Sequence, residues 1–146
     1  MFAKLTGLFG NHKKNKYQNK CVLVVDDNPV DLKVHGNIVE HLGFQVLTAM
    51  DGETGLQIAR EKRPDLIILD CAMPGIDGPE MCRRLKSDPR LNTIPVLFIT
   101  GSETPKNVIE CFEAEAVNYL HKPIQPKFLA SQIDIIFEED ATDKLS

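Results

Sequence analysis

The feature of this sequence that most constrains its fold is the regular alternation of short apolar runs with single amphipathic segments. The clearest run is Leu66–Leu69, whose four consecutive apolar residues predict a strand buried on both faces. Four more strands are predicted by the same reasoning, at residues 21–25, 44–49, 95–99 and 117–121. Because single helical segments separate them, the strands are expected to form a parallel sheet with helices on both faces.

Five helices are predicted between and after these strands, at residues 29–42, 54–62, 79–86, 105–113 and 127–138. The first helix starts with Asn28 as N-cap and Pro29 as first helical residue. Its apolar residues at a spacing of four are interpreted as one stripe, made of Val30, Val34, Ile38 and Leu42. Right-handed crossovers then favour an α/β fold, a flavodoxin-like (βα)5 doubly wound parallel sheet with strand order 2-1-3-4-5.

Length and charge set limits on the domain organisation and on function. The 146 residues suffice for one domain with one core. Five of the 17 basic residues lie within residues 1–20, which hold no acidic residue. The rest of the chain has 12 basic and 21 acidic residues, a net charge of −9, which argues against binding of nucleic acid by the domain. We predict a basic N-terminal extension at residues 1–19, one domain at 20–139 and a polar tail at 140–146.

The N-terminal extension is interpreted as a flexible segment, because Gly7 and Gly10 weaken any helix there. The alternative is an amphipathic segment that binds a partner or an anionic membrane surface through Met1, Phe2, Leu5, Leu8 and Phe9. One such segment would bind a membrane only weakly, so stable membrane contact is not expected. No apolar run approaches the ~18 residues of a transmembrane helix. Four cysteines without a CxxC pair favour reduced thiols, as found in the cytoplasm.

Polar residues follow the predicted strands at the point where each strand ends. Asp26 and Asp27 follow the first strand, and Asp70 follows the third. Thr100 and Lys122 follow the fourth and fifth strands. Carboxyl ends of parallel strands share one edge of a sheet, where ligands bind. Two carboxylates ~5 Å apart repel by roughly 3 kcal/mol at an effective dielectric near 20, so protons or a divalent cation must offset them.

This all-oxygen set of side chains, with open positions, suits Mg²⁺ or Mn²⁺. Lys122 offers a point charge that suits a phosphoryl group. The residues therefore indicate phosphoryl transfer to a carboxylate.

In this order and spacing, the residues resemble the response-regulator receiver domain of two-component signalling. The resemblance covers about residues 20–139 and rests on a combination of motifs: Asp26-Asp27, Asp70 followed by Met73-Pro74 and Gly78, Thr100, Tyr119 and Lys122-Pro123. The sequence departs from the family's usual pattern at three positions: Gly101 in place of alanine, Glu115 in place of glycine and Ile124 in place of phenylalanine.

The resemblance implies roles for residues around the third strand. Asp70 would accept the phosphoryl group. Asp27 would hold Mg²⁺ (or Mn²⁺) directly and Asp26 would hold it mainly through water. The backbone carbonyl of Ala72 would supply a further ligand.

The resemblance also implies how phosphorylation would be sensed. Thr100 would hydrogen-bond a phosphoryl oxygen and Lys122 would form an ion pair with it. Tyr119 would turn inward when Thr100 moves. The peptide bond between Lys122 and Pro123 would be cis.

The function implied is a signalling receiver that is phosphorylated by a sensor histidine kinase or a histidine phosphotransfer protein. It would catalyse only its own phosphorylation and dephosphorylation, as a monomer or weak dimer. No residues remain for an output domain, so we expect contacts with an unidentified downstream protein through Val108–Glu113, Val117–His121 and the last helix. The alternative is a pseudo-receiver that binds partners without phosphorylation. Such a domain should lack part of the motif set, and no part is missing here.

Two residues near the predicted site are interpreted as structural. Cys71 follows Asp70, and no neighbour is expected to lower its pKa. His35 is interpreted as a plain residue on the face of the first helix.

Overall fold

A computed structural model describes residues 17–101 and 105–145, so most of the predicted N-terminal extension lies outside the described residues. Five parallel strands form one sheet in the order β2-β1-β3-β4-β5. The strands are β1 Cys21–Val25, β2 Gln45–Ala49, β3 Leu66–Leu69, β4 Val96–Thr100 and β5 Asn118–His121. The helices are α1 Pro29–His41, α2 Gly52–Lys62, α3 Gly78–Ser87, α4 Pro105–Glu113 and α5 Pro126–Leu145. The predicted fold class and strand order are confirmed.

The core lies on both faces of the sheet, because residues along each strand alternate between the faces. Val22 and Val24 of β1 pack with residues of α1 and α5, whereas Leu23 and Val25 pack with residues of α2, α3 and α4. The apolar residues at helical spacing on α2, α3 and α5 are buried: Leu56, Ala59, Met81, Cys82, Leu85, Leu129, Ile133 and Ile136. The central strands are therefore held in place from both sides.

The predicted apolar stripe of α1 is wrong. Val30 is 68% exposed and Val34 is 48% exposed, whereas the buried face consists of Leu32, His35, Gly36 and Val39. A helix turns about 100° per residue, so residues four apart drift by about 40° at each step. The stripe therefore winds around the helix: it is exposed to solvent at Val30 and Val34 and is partly buried against the core at Ile38 and Leu42.

Several element boundaries differ from the predictions. Helix α2 starts two residues early because the Asp51 carboxylate caps it by accepting from Thr54 N at 2.8 Å. Strand β4 extends to Thr100 and β5 starts at Asn118. Helix α5 continues to Leu145, so the predicted end near residue 138 is wrong. Even with this length, no helix in the described part of the chain is apolar enough to cross a bilayer.

Tyr17, which falls within the predicted flexible extension, is packed on the domain and only 4% exposed. Its ring stacks on Phe44 with centroids 4.3 Å apart and contacts Phe137 at 5.5 Å. Its hydroxyl donates to the Asp134 carboxylate of α5. These three rings form an aromatic cluster beside the amino ends of β1 and β2, and Tyr17 is part of the folded domain.

Candidate functional site

The backbone places the predicted site residues one step beyond the strand ladders. Asp26 N donates to Ala49 O over 3.1 Å, and Asp70 N donates to Val25 O over 2.9 Å. Lys122 N donates to Thr100 O over 2.9 Å. Because these bonds continue the pairing of the strands, the site residues have positions fixed by the sheet rather than by loops.

Three carboxylates converge at this carboxyl edge. Asp26, Asp27 and Asp70 each offer an oxygen, and these oxygens all lie within 4.8 Å of one another. Asp26 and Asp70 are buried and Asp27 is half-buried. The predicted convergence is therefore present in the structure.

Burial and the repulsion between the carboxylates of this cluster have a large effect on the pKa of Asp70. Burial and the neighbouring Asp26 charge raise the pKa of Asp70 to about 6, although Lys122 and a hydrogen bond with Thr100 oppose the change. A carboxylate with a raised pKa is one whose negative charge lacks sufficient compensation. A cation at the cluster would supply that compensation.

Lys122 supplies the positive charge among the described residues of this cluster. Its Nζ lies 2.8 Å from Asp26 Oδ2 and 3.6 Å from Asp70 Oδ2. It also lies 2.9 Å from Asp31 Oδ2 on α1, a contact that the sequence did not indicate. Burial alone would lower the pKa of Lys122, but its hydrogen bonds to Asp26 and Asp31 raise it above the usual value. Lys122 is therefore firmly cationic.

The residues fit a small divalent cation. The ligand atoms are carboxylate oxygens, which Mg²⁺ and Mn²⁺ prefer. The three acidic side chains meet at one point, and Ala72 lines the same cleft. Asp26, Asp27, Asp70 and the carbonyl of Ala72 are the groups that could hold the ion.

The loop after Asp70 is held by Gly78. Gly78 N donates to Cys71 O over 2.9 Å, which brings the end of the loop back to its start. A Cβ at Gly78 would lie 2.3 Å from Asp70 O and 2.7 Å from Phe98 Cε1. Only glycine fits this close approach.

Two further predicted features are present at β5. Tyr119 is half-buried and packs against the core cluster on the α2–α4 side of the sheet. The Lys122–Pro123 peptide bond is cis, as the resemblance implied.

Cys71 and His35 have surroundings that the sequence did not indicate. The Cys111 thiol donates to Cys71 Sγ over 3.5 Å, and this contact lowers the pKa of Cys71 although burial opposes it. The expectation that nothing lowers this pKa was wrong. His35 is buried, and burial together with the Lys122 charge lowers its pKa.

Asp31 is the site residue that sequence reasoning missed. An acid in the first turn of a helix is ordinarily explained by the helix dipole. Its partner Lys122 is 91 residues away, so only the assembled sheet reveals the contact.

Comparison with known proteins decides the family. The family model described as "Response regulator receiver domain" matches residues 22–134 of the chain. The chain belongs to the response regulator receiver family. Receiver domains are signalling domains of two-component systems and bind Mg²⁺ at an acidic site. In this chain, Asp26, Asp27 and Asp70 form an acidic cluster at the carboxyl edge of the sheet.

Similar proteins include both short and long chains. Protein PilH of Pseudomonas aeruginosa is 31% identical over 115 residues, covering 79% of this chain and 95% of PilH. Transcriptional regulatory protein AfsQ1 of Streptomyces coelicolor is 35% identical over 128 residues, covering 86% of this chain but 55% of AfsQ1. Response regulator PleD of Caulobacter vibrioides is 38% identical over 112 residues, or 77% of this chain. The chain thus spans about half of AfsQ1 and 25% of PleD.

Solved structures show the same receiver fold. Vibrio cholerae chemotaxis protein CheY4 superposes with a TM-score of 0.74 at 29% identity, covering 79% of this chain and 96% of that chain. The receiver domain of a signal transduction histidine kinase from Syntrophus aciditrophicus gives a TM-score of 0.77 at 33% identity, covering 82% and 91%.

Proposed function

We propose that this protein is a phosphorylation-activated receiver in which Asp70 accepts a phosphoryl group from a phosphohistidine. The observation that carries the proposal is the convergence of three carboxylate oxygens within 4.8 Å, with Lys122 Nζ 3.6 Å from Asp70 Oδ2. The donor would be a sensor histidine kinase or a histidine phosphotransfer protein.

The chemistry is a displacement at phosphorus. A carboxylate oxygen of Asp70 forms the new P–O bond, the P–N bond to the donor imidazole breaks, and its electron pair returns to the ring nitrogen. The lysine ammonium of Lys122 and the hydroxyl of Thr100 stabilise negative charge on the phosphoryl oxygens. Mg²⁺ (or Mn²⁺), held by Asp26, Asp27, Asp70 and the Ala72 carbonyl, would further stabilise the negative charge on the phosphoryl oxygens.

The same contacts can supply the energy of a conformational switch. Moving a two-state equilibrium from 1:99 to 99:1 takes about 5.5 kcal/mol. Charge-assisted hydrogen bonds contribute about 1.5–3 kcal/mol each. Thr100 alone is insufficient, whereas Thr100 and Lys122 together with the cation are enough. Tyr119, next to this group on β5, would follow the movement of Thr100.

The signal would leave through the face formed by α4, β5 and α5. Four large apolar side chains on or next to these elements are exposed to solvent: Ile109, Phe112, Val117 and Phe128. Exposed large apolar residues on or next to neighbouring elements are consistent with a protein-binding surface. We propose that an unidentified downstream protein binds here once Asp70 is phosphorylated.

The test is phosphorylation of the full chain by acetyl phosphate with Mg²⁺, followed by mass spectrometry of the modified peptide. We expect one phosphoryl group on Asp70, and none in Asp70→Asn or in protein treated with a chelator. Asp88→Asn is the matched control, since Asp88 pairs with Arg90 away from the site. Wild-type protein that stays unmodified, with no spectroscopic response to beryllofluoride, would instead identify a pseudo-receiver.

A second experiment tests the output face. Backbone amide NMR signals should shift on addition of beryllofluoride and Mg²⁺ in α4 and β5 as well as at the site. Shifts confined to the residues around Asp70 would contradict transmission to this face.

A further inference from the structure

Asp31 gives Lys122 a second counter-ion beside Asp26. Lys122 Nζ lies 2.8 Å from Asp26 and 2.9 Å from Asp31, both within hydrogen-bonding distance. Asp70 is farther away, at 3.6 Å. The ammonium group has three N–H donors, so two of them are already engaged away from the acceptor carboxylate.

The role of Asp31 differs from that of the other acids. Among the described residues, the acids that converge on one point are Asp26, Asp27 and Asp70, and Asp31 is not one of them. Its carboxylate is 35% exposed and is joined to the cluster by its contact with Lys122. A cation held by Asp26 would draw that carboxylate's charge away from Lys122, whereas Asp31 would keep its contact with the lysine.

We propose that Asp31 is a positioning residue that competes with the phosphoryl group for Lys122. This inference rests on the proposed function of the site. While Asp70 is unmodified, Asp31 neutralises part of the Lys122 charge and holds the ammonium to the α1 side of the cleft. A phosphoryl group on Asp70 must share Lys122 with Asp31 or displace it. Asp31 therefore weakens the affinity of the site for a phosphoryl group and biases the receiver towards its unphosphorylated state.

The test is the affinity for beryllofluoride, a phosphoryl analogue, measured at saturating Mg²⁺ by NMR titration. Asp31→Asn keeps an oxygen that can accept from Lys122 but removes the charge. An exposed or half-exposed ion pair is worth little, so we expect the variant to bind about two- to fivefold more tightly. Glu40→Gln is the charge-matched control: it lies on the same helix, about 13 Å farther along the axis, and is exposed. We expect its affinity to equal that of the wild type.

The dependence of beryllofluoride affinity on salt distinguishes a direct effect of the Asp31–Lys122 contact from the long-range effect of removing one negative charge. Between about 0.1 M and 1 M salt the Debye length falls from ~10 Å to ~3 Å. The Asp31–Lys122 contact at 2.9 Å is much shorter than the first length and about equal to the second, so the gain of Asp31→Asn should shrink at about 1 M salt but remain measurable. A gain that disappears at high salt, or that Glu40→Gln reproduces, would overturn the proposal.

Two other outcomes also decide the matter. Weaker binding by Asp31→Asn would mean that Asp31 holds Lys122 ready for the phosphoryl group, the opposite of the role proposed. Unchanged binding with an unchanged unfolding midpoint in urea would leave Asp31 without influence on the site. Failure of the wild type itself to bind beryllofluoride would instead overturn the proposed function.

Discussion

The carboxyl edge of the sheet and its amino edge are built from opposite kinds of side chain. At the carboxyl edge, Asp26, Asp70 and Thr100 are buried polar groups beside the Lys122 ammonium. At the amino edge, Tyr17, Phe44 and Phe137 form a stack of rings, with centroids 4.3–5.6 Å apart. Buried like charges destabilise a fold, whereas buried rings stabilise it.

The difference shows how one sheet can carry a cluster of buried acidic residues. Burial and the Asp26 charge raise the pKa of Asp70, so they lower stability in the absence of a cation. The aromatic cluster lies at the far end of β1, where it adds apolar burial without touching the site. Stabilising apolar contacts and the destabilising acidic cluster are therefore separated along the length of the strands, and substitutions at either edge can measure this separation.

The largest effect is expected at the amino edge. Tyr17→Ala should lower the free energy of unfolding by about 3 kcal/mol, because it removes a buried ring from the cluster. Tyr17→Phe, which keeps the ring and loses the hydrogen bond to Asp134, should lower it by only about 1 kcal/mol. Urea unfolding measures both. Beryllofluoride affinity that falls along with stability would show that the two edges are not separate.

The next effect is a pH dependence at the carboxyl edge. The folded pKa of Asp70 is about 6, above the value of 3.8 expected when unfolded. The native state therefore binds more protons than the unfolded state between these values, so stability falls as pH rises from about 4 to about 7. One pKa unit corresponds to ~1.4 kcal/mol, so the full shift corresponds to roughly 3 kcal/mol, of which roughly 2 kcal/mol is lost between about pH 4 and pH 7.

Comparison with Asp70→Asn isolates this contribution. Without Mg²⁺, the stability advantage of the variant should grow between about pH 4 and pH 7 and then level off. His35, whose pKa is lowered by burial, is present in both proteins and its contribution cancels. A constant difference across this range would contradict the raised pKa of Asp70.

Binding of Mg²⁺ should reverse part of this destabilisation. At ten times its Kd, an ion that binds only the native state raises the free energy of unfolding by about 1.4 kcal/mol. Differential scanning calorimetry with MgCl₂, against NaCl of equal ionic strength, measures the gain. Asp27→Asn should lose most of it, and an equal gain in that variant would place the ion elsewhere.

The smallest effect concerns a strained residue on the amino side of β5. Glu115 has φ of 68°, in the left-handed region that favours glycine, just after α4 ends. Glu115→Gly should raise the free energy of unfolding by about 0.5–1 kcal/mol. Glu115→Ala removes the carboxylate but keeps the strain, so urea unfolding should detect little change. Equal gains in both variants would point to charge instead of backbone strain.

Sequence patterns predicted the sheet and the convergence of side chains at its carboxyl edge, for a physical reason. Each buried strand is marked locally by its apolar run, and parallel pairing then places the residues that follow it on one edge. Asp26, Asp70 and Lys122 could therefore be grouped without knowledge of any contact.

Features that depend on distant partners could not be predicted. Tyr17 is a single ring in a polar stretch, and its partner Asp134 is 117 residues away. The contact of Asp31 with Lys122 likewise has no local signature. The buried face of α1 was assigned to the wrong side of the helix. Val30 and Val34 are apolar and four residues apart, but apolar residues at that spacing can also lie on the exposed side.

The closed loop after Asp70 has a consequence for how recognition can diversify. The bond from Gly78 N to Cys71 O, at 2.9 Å, fastens both ends of the loop to the strand that carries Asp70. Between them, Gly75 has no heavy atom within 4 Å of where a Cβ would lie. Gly75 nevertheless has φ of 78°, which favours glycine, and Met73 is buried in the core with Ile76 packed against the same cluster. The exposed Ala72 and Pro74 are therefore the loop residues whose side chains can change most freely. If Asp70 is the phosphoacceptor that we propose, these two positions could adapt to a donor surface while Gly78 holds Asp70 in place.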